Sequence, residues 1–407
     1  MSRRKYPPRR RAAPGGGHVK ATADSRKKSS ASGAASLKTP SIDIPTTDVG
    51  FAPDRAYEGG EIIVANPPKN FSASVGALGF SILESVRLEA LEFDIYRLRV
   101  PRTMSVPEAR KVLRTKYPGV SIDANHLFEA QGVEDYPKNT PRALIGWRPA
   151  TPGCGGGIRI GMIDASVDVK HPALKGQRIE FRSFHKAGRR PGPAEHGTAV
   201  AGILVGKPKW GGLLPGAELM AANMFEVNES GRVVGNGIAL LKAINWLSQK
   251  RVQVINLSVA GADNKVVRKA LQRSKKKGMV LVAAAGNWQK KGNKPAYPAA
   301  YNDVLAVTAF GSDRLIYSQA NTGKYIDFAA PGVKVYTAVP GGGRIQSGTS
   351  FASPFISVLL ALQLERGAAK KSSVLRDFLR GHALDLGRKG QDEVFGYGFV
   401  NLQPKCT

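Results

Sequence analysis

Four side chains in this sequence could together carry out acyl transfer. Ser350 stands in Ser347-Gly348-Thr349-Ser350-Phe351-Ala352-Ser353-Pro354, where Gly348 permits a tight turn that a Cβ would resist. His196 opens Glu195-His196-Gly197-Thr198-Ala199-Val200-Ala201-Gly202. Asp164 closes Ile160-Gly161-Met162-Ile163-Asp164, and Asn287 follows Ala283-Ala284-Ala285-Gly286. Cleaving an amide with a serine hydroxyl needs a base for its proton, an acid to orient that base, and donors for the oxyanion. Imidazole, carboxylate and side-chain amide supply these. Each residue also has a plainer reading. A serine before a helix is often an N-cap, an aspartate ending a strand is often a cap or turn residue, a histidine before glycine can cap a helix, and an asparagine after glycine commonly makes a turn.

The elements around them favour the joint reading. Residues 158–407 alternate strand and helix patterns. Apolar strands are expected at 158–163, ending at Asp164, and at 218–222, 252–257, 279–285 and 304–309. Helices are expected at 197–205, 234–249, 266–277 and, after Pro354, through the apolar run 355–362 with Ser350 near its N-terminus. Such alternation predicts an α/β fold, a doubly wound, mostly parallel sheet with helices on both faces. Active sites of these sheets lie beyond the carboxyl ends of the strands, where Asp164, Ser258 and Asn287 all fall. A helix N-terminus beside Ser350 would add unpaired N–H groups and a positive dipole end.

The chain has 407 residues, 42% hydrophobic, with a formal net charge of +29, enough for two or three domains with a sizeable core. Residues 1–58 read as a disordered basic leader; the first forty hold eleven Lys and Arg against one acid, Asp24. Residues 59–130 show the order β-α-β-β-α-β of a small α+β ferredoxin-like domain. Its strands are expected at 61–65, 81–91, 93–100 and 120–124, and its helices at 70–79 and 106–117. Ser105 and Glu108 form a capping-box pattern before the second helix. Residues 131–157 read as a linker in which only 143–147 is apolar enough to dock. Its Gly155-Gly156-Gly157 is expected to be a flexible hinge, not a phosphate cradle. Two cysteines, Cys154 and Cys406, are no disulfide framework and no zinc set; one bridge and two thiols are both open readings. No run reaches the roughly 18 apolar residues of a membrane span.

Three blocks, in order, resemble the subtilisin-like serine peptidase family over about residues 158–403. Ile163-Asp164-Ala165-Ser166-Val167-Asp168, with His171-Pro172-Ala173-Leu174, is similar to its aspartate block. His196 to Gly202 resembles the histidine block, and Gly348 to Pro354 the serine block. Supporting matches are Ile255-Asn256-Leu257-Ser258, Ala284 to Asn287, Tyr297-Pro298-Ala299, Ala330-Pro331-Gly332 and Tyr397 to Asn401. The order Asp, His, Ser along the chain is that family's own.

The resemblance implies a serine endopeptidase with Ser350 as nucleophile, His196 as base then acid, and Asp164 orienting His196. Asn287 and the Ser350 N–H would hold the oxyanion. It implies that Ser258, Val259, Ala260 and Gly261, and on the other side Val233, Val234 and Gly235, flank the substrate. Ala285, Gly286 and Ala296 would line a largely apolar primary pocket. It further implies that the 59–130 domain is a prodomain, a folding assistant and inhibitor of the groove, whose end Ile122 to Glu129 resembles a prodomain tail, removed by a cut between about Gln131 and Ile158; a retained accessory domain is the rival reading. Ser166 stands where a glycine is usual, Ala199 where a second histidine is common, and Ala260 where a glycine is usual. The loop 206–212 lacks the Asn and Asp of a calcium loop, so no cofactor is expected and structural calcium has no support.

The expected partners are protein or peptide substrates and the chain's own N-terminal domain. The rival function is a catalytically inactive subtilisin-like binding module, against which the complete set Asp164, His196, Asn287 and Ser350 speaks. The charge raises a nucleic-acid reading, but the leader has no interleaved aromatics and no recognised module, so nucleic acid is not expected. Arg3-Arg4 is not followed by the apolar core of an export signal. The resemblance points to secretion or the cell envelope and the absent signal pattern to the cytoplasm; the sequence does not choose.

Overall fold

The computed structural model describes residues 57–130, Trp147, Thr151 and 153–402, without the side chains of 129 and 130. The basic leader expected over 1–58, apart from its last two residues, and most of the linker expected over 131–157 lie outside the described residues, as does Cys406.

The N-terminal part runs β1 (Tyr57–Ala65), α1 (Phe71–Gly76), β2 (Ser81–Leu88), β3 (Phe93–Arg99), α2 (Val106–Lys116) and β4 (Ser121–Ala130). The strands lie in the antiparallel order β2-β3-β1-β4, the ferredoxin-like arrangement. The capping box forms: the Ser105 N–H donates to Glu108 Oε2 at 2.8 Å and the Glu108 N–H to Ser105 Oγ at 3.4 Å. The alternation of β1 serves two cores. Ile62 and Val64 pack with α1 and α2 residues such as Phe71, Val75 and Leu113, whereas Ile63 and Ala65 face the rest of the protein.

β4 departs from expectation. It continues six residues past the predicted end at 124, because its second half is paired by strands from elsewhere in the chain.

The larger part is built on β5 (Arg159–Asp164), β6 (Ile179–Ser183), β7 (Arg190–Pro191), α3 (Glu195–Val205), β8 (Glu218–Asn223), β9 (Phe225–Val227), β10 (Val233–Asn236), α4 (Gly237–Gln249), β11 (Val254–Leu257), β12 (Val259–Gly261), α5 (Lys265–Lys276), β13 (Val280–Ala284), β14 (Leu305–Phe310), β15 (Phe328–Pro331), β16 (Val335–Val339), β17 (Gly342–Gln346), α6 (Thr349–Glu365), α7 (Ser372–Arg380), β18 (Ala383–Leu384) and β19 (Phe399–Val400). A nine-stranded sheet has the order β6-β8-β5-β11-β13-β14-β15-β19-β18. All its pairs are parallel except β18–β19.

Successive residues of its strands feed opposite cores. Ile160, Met162, Val254, Val280 and Val282 pack beside α3 and α6; Ile163, Ile255, Leu257, Leu281 and Ala283 pack beside α4 and α5. Burial on both faces explains why these strands read as continuous apolar runs. The second core does not stop at α4 and α5: it takes in Ile63, Leu88, Leu91, Phe93, Ile95 and Phe128 of the N-terminal part. Those helices are therefore sandwiched between two sheets.

Two further expectations change. The helix predicted over 234–249 begins only at Gly237, after the short strand β10, and Asn236 caps it by accepting from the Ala239 N–H at 2.9 Å. Gly155-Gly156-Gly157 is an ordered turn, not a hinge. Gly155 has φ +89°, and a Cβ there would lie 3.0 Å from Leu214 Cβ. The Ile158 N–H closes the turn on the Gly155 carbonyl at 3.1 Å. Trp147 does dock, buried edge-on against Phe355 of α6 with ring centroids 5.7 Å apart.

Candidate active site

Asp164 is the last residue of β5, and its carboxylate is fully buried. Oδ1 accepts from the Ala165 N–H and from His196 Nδ1, both at 2.6 Å. This fixes the tautomer of His196: Nδ1 carries the proton, and Nε2 is left as the base.

The short distance is made possible by Gly197. A Cβ there would stand 2.4 Å from the Ser166 carbonyl oxygen, so only glycine lets the first turn of α3 close on the chain leaving β5. Thr198 Oγ1 fastens the same contact by accepting from the Asp168 N–H at 2.8 Å. On its other side the imidazole packs against Phe351, ring centroids 5.2 Å apart. It is thereby seated beside the N-terminus of α6, where Ser350 is the second residue.

That helix start is unusual in a useful way. Gly348 precedes it with φ +155°, in the range that favours glycine. Pro354 lies inside the helix and has no N–H for the Ser350 carbonyl; Ser353 Oγ donates to that carbonyl at 3.4 Å instead.

Asn287 follows Gly286, whose φ is +98° and whose Cβ would meet Ala296 Cβ at 2.7 Å. The amide orientation is dictated by Thr349. Its N–H at 3.2 Å and its hydroxyl at 2.9 Å both donate to Asn287 Oδ1, while the Gly286 N–H donates to Thr349 Oγ1 at 3.2 Å. An amide nitrogen cannot accept, so Nδ2 must point the other way. Among the described residues, the buried side-chain atoms without a hydrogen-bond partner include Ser350 Oγ, Asn287 Nδ2 and Asp164 Oδ2. Buried polar atoms are ordinarily paired. An unpaired hydroxyl and an unpaired amide donor at one site are what an incoming carbonyl would use.

The strands expected to flank a substrate instead flank β4. Gly235 and Asn236 of β10 pair with Phe128 and Leu127, and Val259, Ala260 and Gly261 of β12 pair antiparallel with Ala130, Glu129 and Phe128. The ring of Phe128 lies over Gly261, where a Cβ would come within 2.5 Å of Cδ1. Val233 pairs with Val227 of β9 and not with β4. Ser258 lies buried between β11 and β12 and accepts from Asn256 Nδ2 at 2.9 Å. Ala285 is buried, and Ala260 and Ala296 form a small apolar cluster with Trp288.

Sequence reasoning assigned no role to Thr349, Phe351 and Trp288. The first two stand inside the serine block and the third next to Asn287, so adjacency was the only available signal. Phe128 lies in the stretch that resembles a prodomain tail, but nothing local marks it as the residue whose ring packs over Gly261.

The sequence profile of the subtilase family matches residues 155–398. The chain belongs to the subtilase family. As a subtilase it is 34% identical over 217 residues to the minor extracellular protease Epr of Bacillus subtilis, covering 52% of this chain and 33% of that one. It is 31% identical over 260 residues to subtilisin DY of Bacillus licheniformis, covering 61% and 90%. The chain thus spans about a third of Epr and nine-tenths of subtilisin DY. The crystal structure of fervidolysin from Fervidobacterium pennivorans, a keratinolytic enzyme related to subtilisin, superposes with a TM-score of 0.68 at 22% identity, over 88% of this chain and 63% of that one. That likeness of fold reaches beyond the family match.

The departures from the subtilase pattern are accommodated locally. Ser166 takes no positive φ, so the turn after Asp164 does not demand the usual glycine. Ala199 is wholly buried, and its carbonyl accepts from Thr337 Oγ1 at 2.8 Å. The loop 206–212 holds Trp210 stacked on Tyr336 at 6.3 Å and edge-on to His171 at 4.9 Å.

Proposed function

We propose that this chain is a serine endopeptidase whose N-terminal domain occupies its own substrate groove. Ser350 Oγ attacks the scissile carbonyl and passes its proton to His196 Nε2. Asp164 holds the imidazole in place and stabilises the cation. The carbonyl oxygen, now an oxyanion, accepts from Asn287 Nδ2 and from the Ser350 N–H, one of the helix-start donors without an intrahelical partner. Collapse expels the amine, which takes the proton from His196 and leaves an acyl ester on Ser350. Water repeats the sequence in reverse and frees the enzyme. Protein substrates would lie as an extra strand between β10 and β12, held by backbone hydrogen bonds. Ala260, Ala285, Ala296 and Trp288 favour apolar side chains before the scissile bond.

The observation that carries the reading is the Asp164–His196 bond of 2.6 Å beside the unpaired Ser350 Oγ and Asn287 Nδ2. The position of β4 supports self-inhibition, with processing in the segment 131–157. Incubated protein is expected to lose its N-terminal domain, seen by intact mass, and then to form a fluorophosphonate adduct on Ser350. No adduct on the processed protein would refute the peptidase reading, and a Ser350→Ala chain that still processes itself would refute self-cleavage.

A further inference from the structure

β4 brings a histidine into the contact between the N-terminal domain and the rest of the chain. His126 is 2% exposed, and its Nδ1 lies 2.9 Å from Asn264 Nδ2. Asn264 cannot turn round. Its Oδ1 accepts from the Val266 and Val267 N–H groups at 3.0 and 3.1 Å, capping α5. Its N–H donates to, and its carbonyl accepts from, the Tyr301 hydroxyl, each at 3.0 Å. Its Nδ2 has two hydrogens: one goes to the Ala124 carbonyl at 3.0 Å and the other faces the ring. His126 Nδ1 must therefore be a bare acceptor. A proton on it would set donor against donor, in a buried site at the positive end of a twelve-residue helix.

The charged groups facing the ring do not offset this. Asp123, on its own strand, is held by Arg110 at 2.8 Å and Arg114 at 3.3 Å of α2, and also accepts from the Lys265 N–H of α5 at 3.2 Å. Asp263, in the turn before α5, is held by Arg268 at 2.9 Å. From β1 the ring meets the edge of Tyr57, centroids 6.3 Å apart.

We infer that His126 and Asn264 form an acid-sensitive latch, so that protonation of His126 loosens the N-terminal domain from the substrate groove. Burial holds the imidazole below its usual range, so the sign is definite. A proton is taken up on release; the latch is intact above about pH 6.5 and is lost as pH falls, by up to about tenfold per pH unit. Only the consequence for groove access rests on the peptidase reading.

The test is therefore made on the full-length Ser350→Ala protein, which needs no catalysis. Amide hydrogen exchange of residues 122–128 is followed from pH 7.5 to 5 and corrected for its intrinsic pH dependence. Opening of β4 is expected to become more frequent on acidification in this protein and to lose that dependence when His126→Gln is added. With Asn264→Asp, whose second oxygen would face the ring, opening is expected to become less frequent in acid. Equal acid loosening with and without His126→Gln, no loosening in the parent, or continued loosening with Asn264→Asp would each overturn the latch. None of these outcomes depends on whether Ser350 reacts with a fluorophosphonate, so failure of the latch and failure of the peptidase reading are separable.

Discussion

At the scale of single residues, the site depends on groups that touch no substrate. Thr349 is the clearest. By donating twice to Asn287 Oδ1 it aims the amide nitrogen at the space over Ser350. In a subtilisin, a member of this same family, removing the side-chain oxyanion donor lowers kcat by about 10²–10³-fold. Asn287→Ala is expected to fall in that range with KM little changed. Thr349→Val removes the hydroxyl donor while keeping the shape. About a tenfold loss of kcat is expected from the loosened amide, since a net hydrogen bond is worth about 1 kcal/mol and one to a buried partner somewhat more. Thr349→Ser should restore the rate. Steady-state kinetics on one peptide substrate checks both; equal loss in the Ser and Val variants would mean that packing, not the hydrogen bond, matters. His196, Asp164 and Ser350 were legible in the sequence because each sits in a block of characteristic neighbours. Thr349 was not, since its role exists only where two distant segments meet.

At the scale of elements, β4 is the segment on which expectation and structure part. Its first half alternates as a strand should, with Ile122 and Ala124 in the N-terminal core. The second half contains Asn125 and His126, both buried, which no period-2 rule would place inside. They are tolerated because other elements pair them. Asn125 Nδ2 donates to Glu61 at 2.9 Å, and its Oδ1 accepts from the Ile238 N–H at the start of α4 at 3.3 Å. Burial alone would push the Glu61 carboxyl up. The Asn125 hydrogen bond and the nearby Arg97 and Lys186 cations outweigh it and hold the group below its usual value. The end of β4 is anchored by Phe128, 1% exposed, between Gly235 and Gly261. Truncating a fully buried phenylalanine typically costs about 3–5 kcal/mol. Phe128→Ala should weaken retention of the cleaved N-terminal domain by a large part of that, measured as co-elution with the Ser350 part or as inhibition of its activity. Unchanged retention would show that the β-pairing suffices without the side chain.

At the scale of the whole molecule, the two parts share one core. Ile63, Leu88, Leu91, Phe93 and Ile95 lie on the face of the N-terminal sheet opposite α1 and α2, packed with α4 and α5. Ion pairs rim that contact: Arg189 with Glu58 at 3.0 Å, Lys186 with Glu61 at 3.5 Å, Lys277 with Glu92 at 3.0 Å, and Lys242 with Glu84. The exposed Lys277–Glu92 pair contributes little, and the attraction in the more buried pairs is largely offset by desolvation, so the apolar face dominates the contact. Residues 57–130 produced alone would expose it to water, and small domains bury too little surface to tolerate that. The isolated segment is expected to be largely unfolded by circular dichroism and to gain structure when the processed larger part is added. A stable fold in isolation would show that the shared core is dispensable.

By itself the sequence determined the alternating α/β architecture and the ferredoxin-like order of the N-terminal part, and it singled out Asp164, His196 and Ser350 as candidates, because these rest on local periodicity and on compact blocks such as Gly348 to Pro354. Only the tertiary structure decided what those blocks do to one another. It showed that Gly197 must be small to bring His196 to Asp164, and that Thr349 turns Asn287. It also showed that β4 pairs with both β10 and β12, and that Asn264 makes His126 an acceptor. Each of these is a contact between segments far apart in the chain, set by backbone approach and by donor and acceptor counts that no local pattern records.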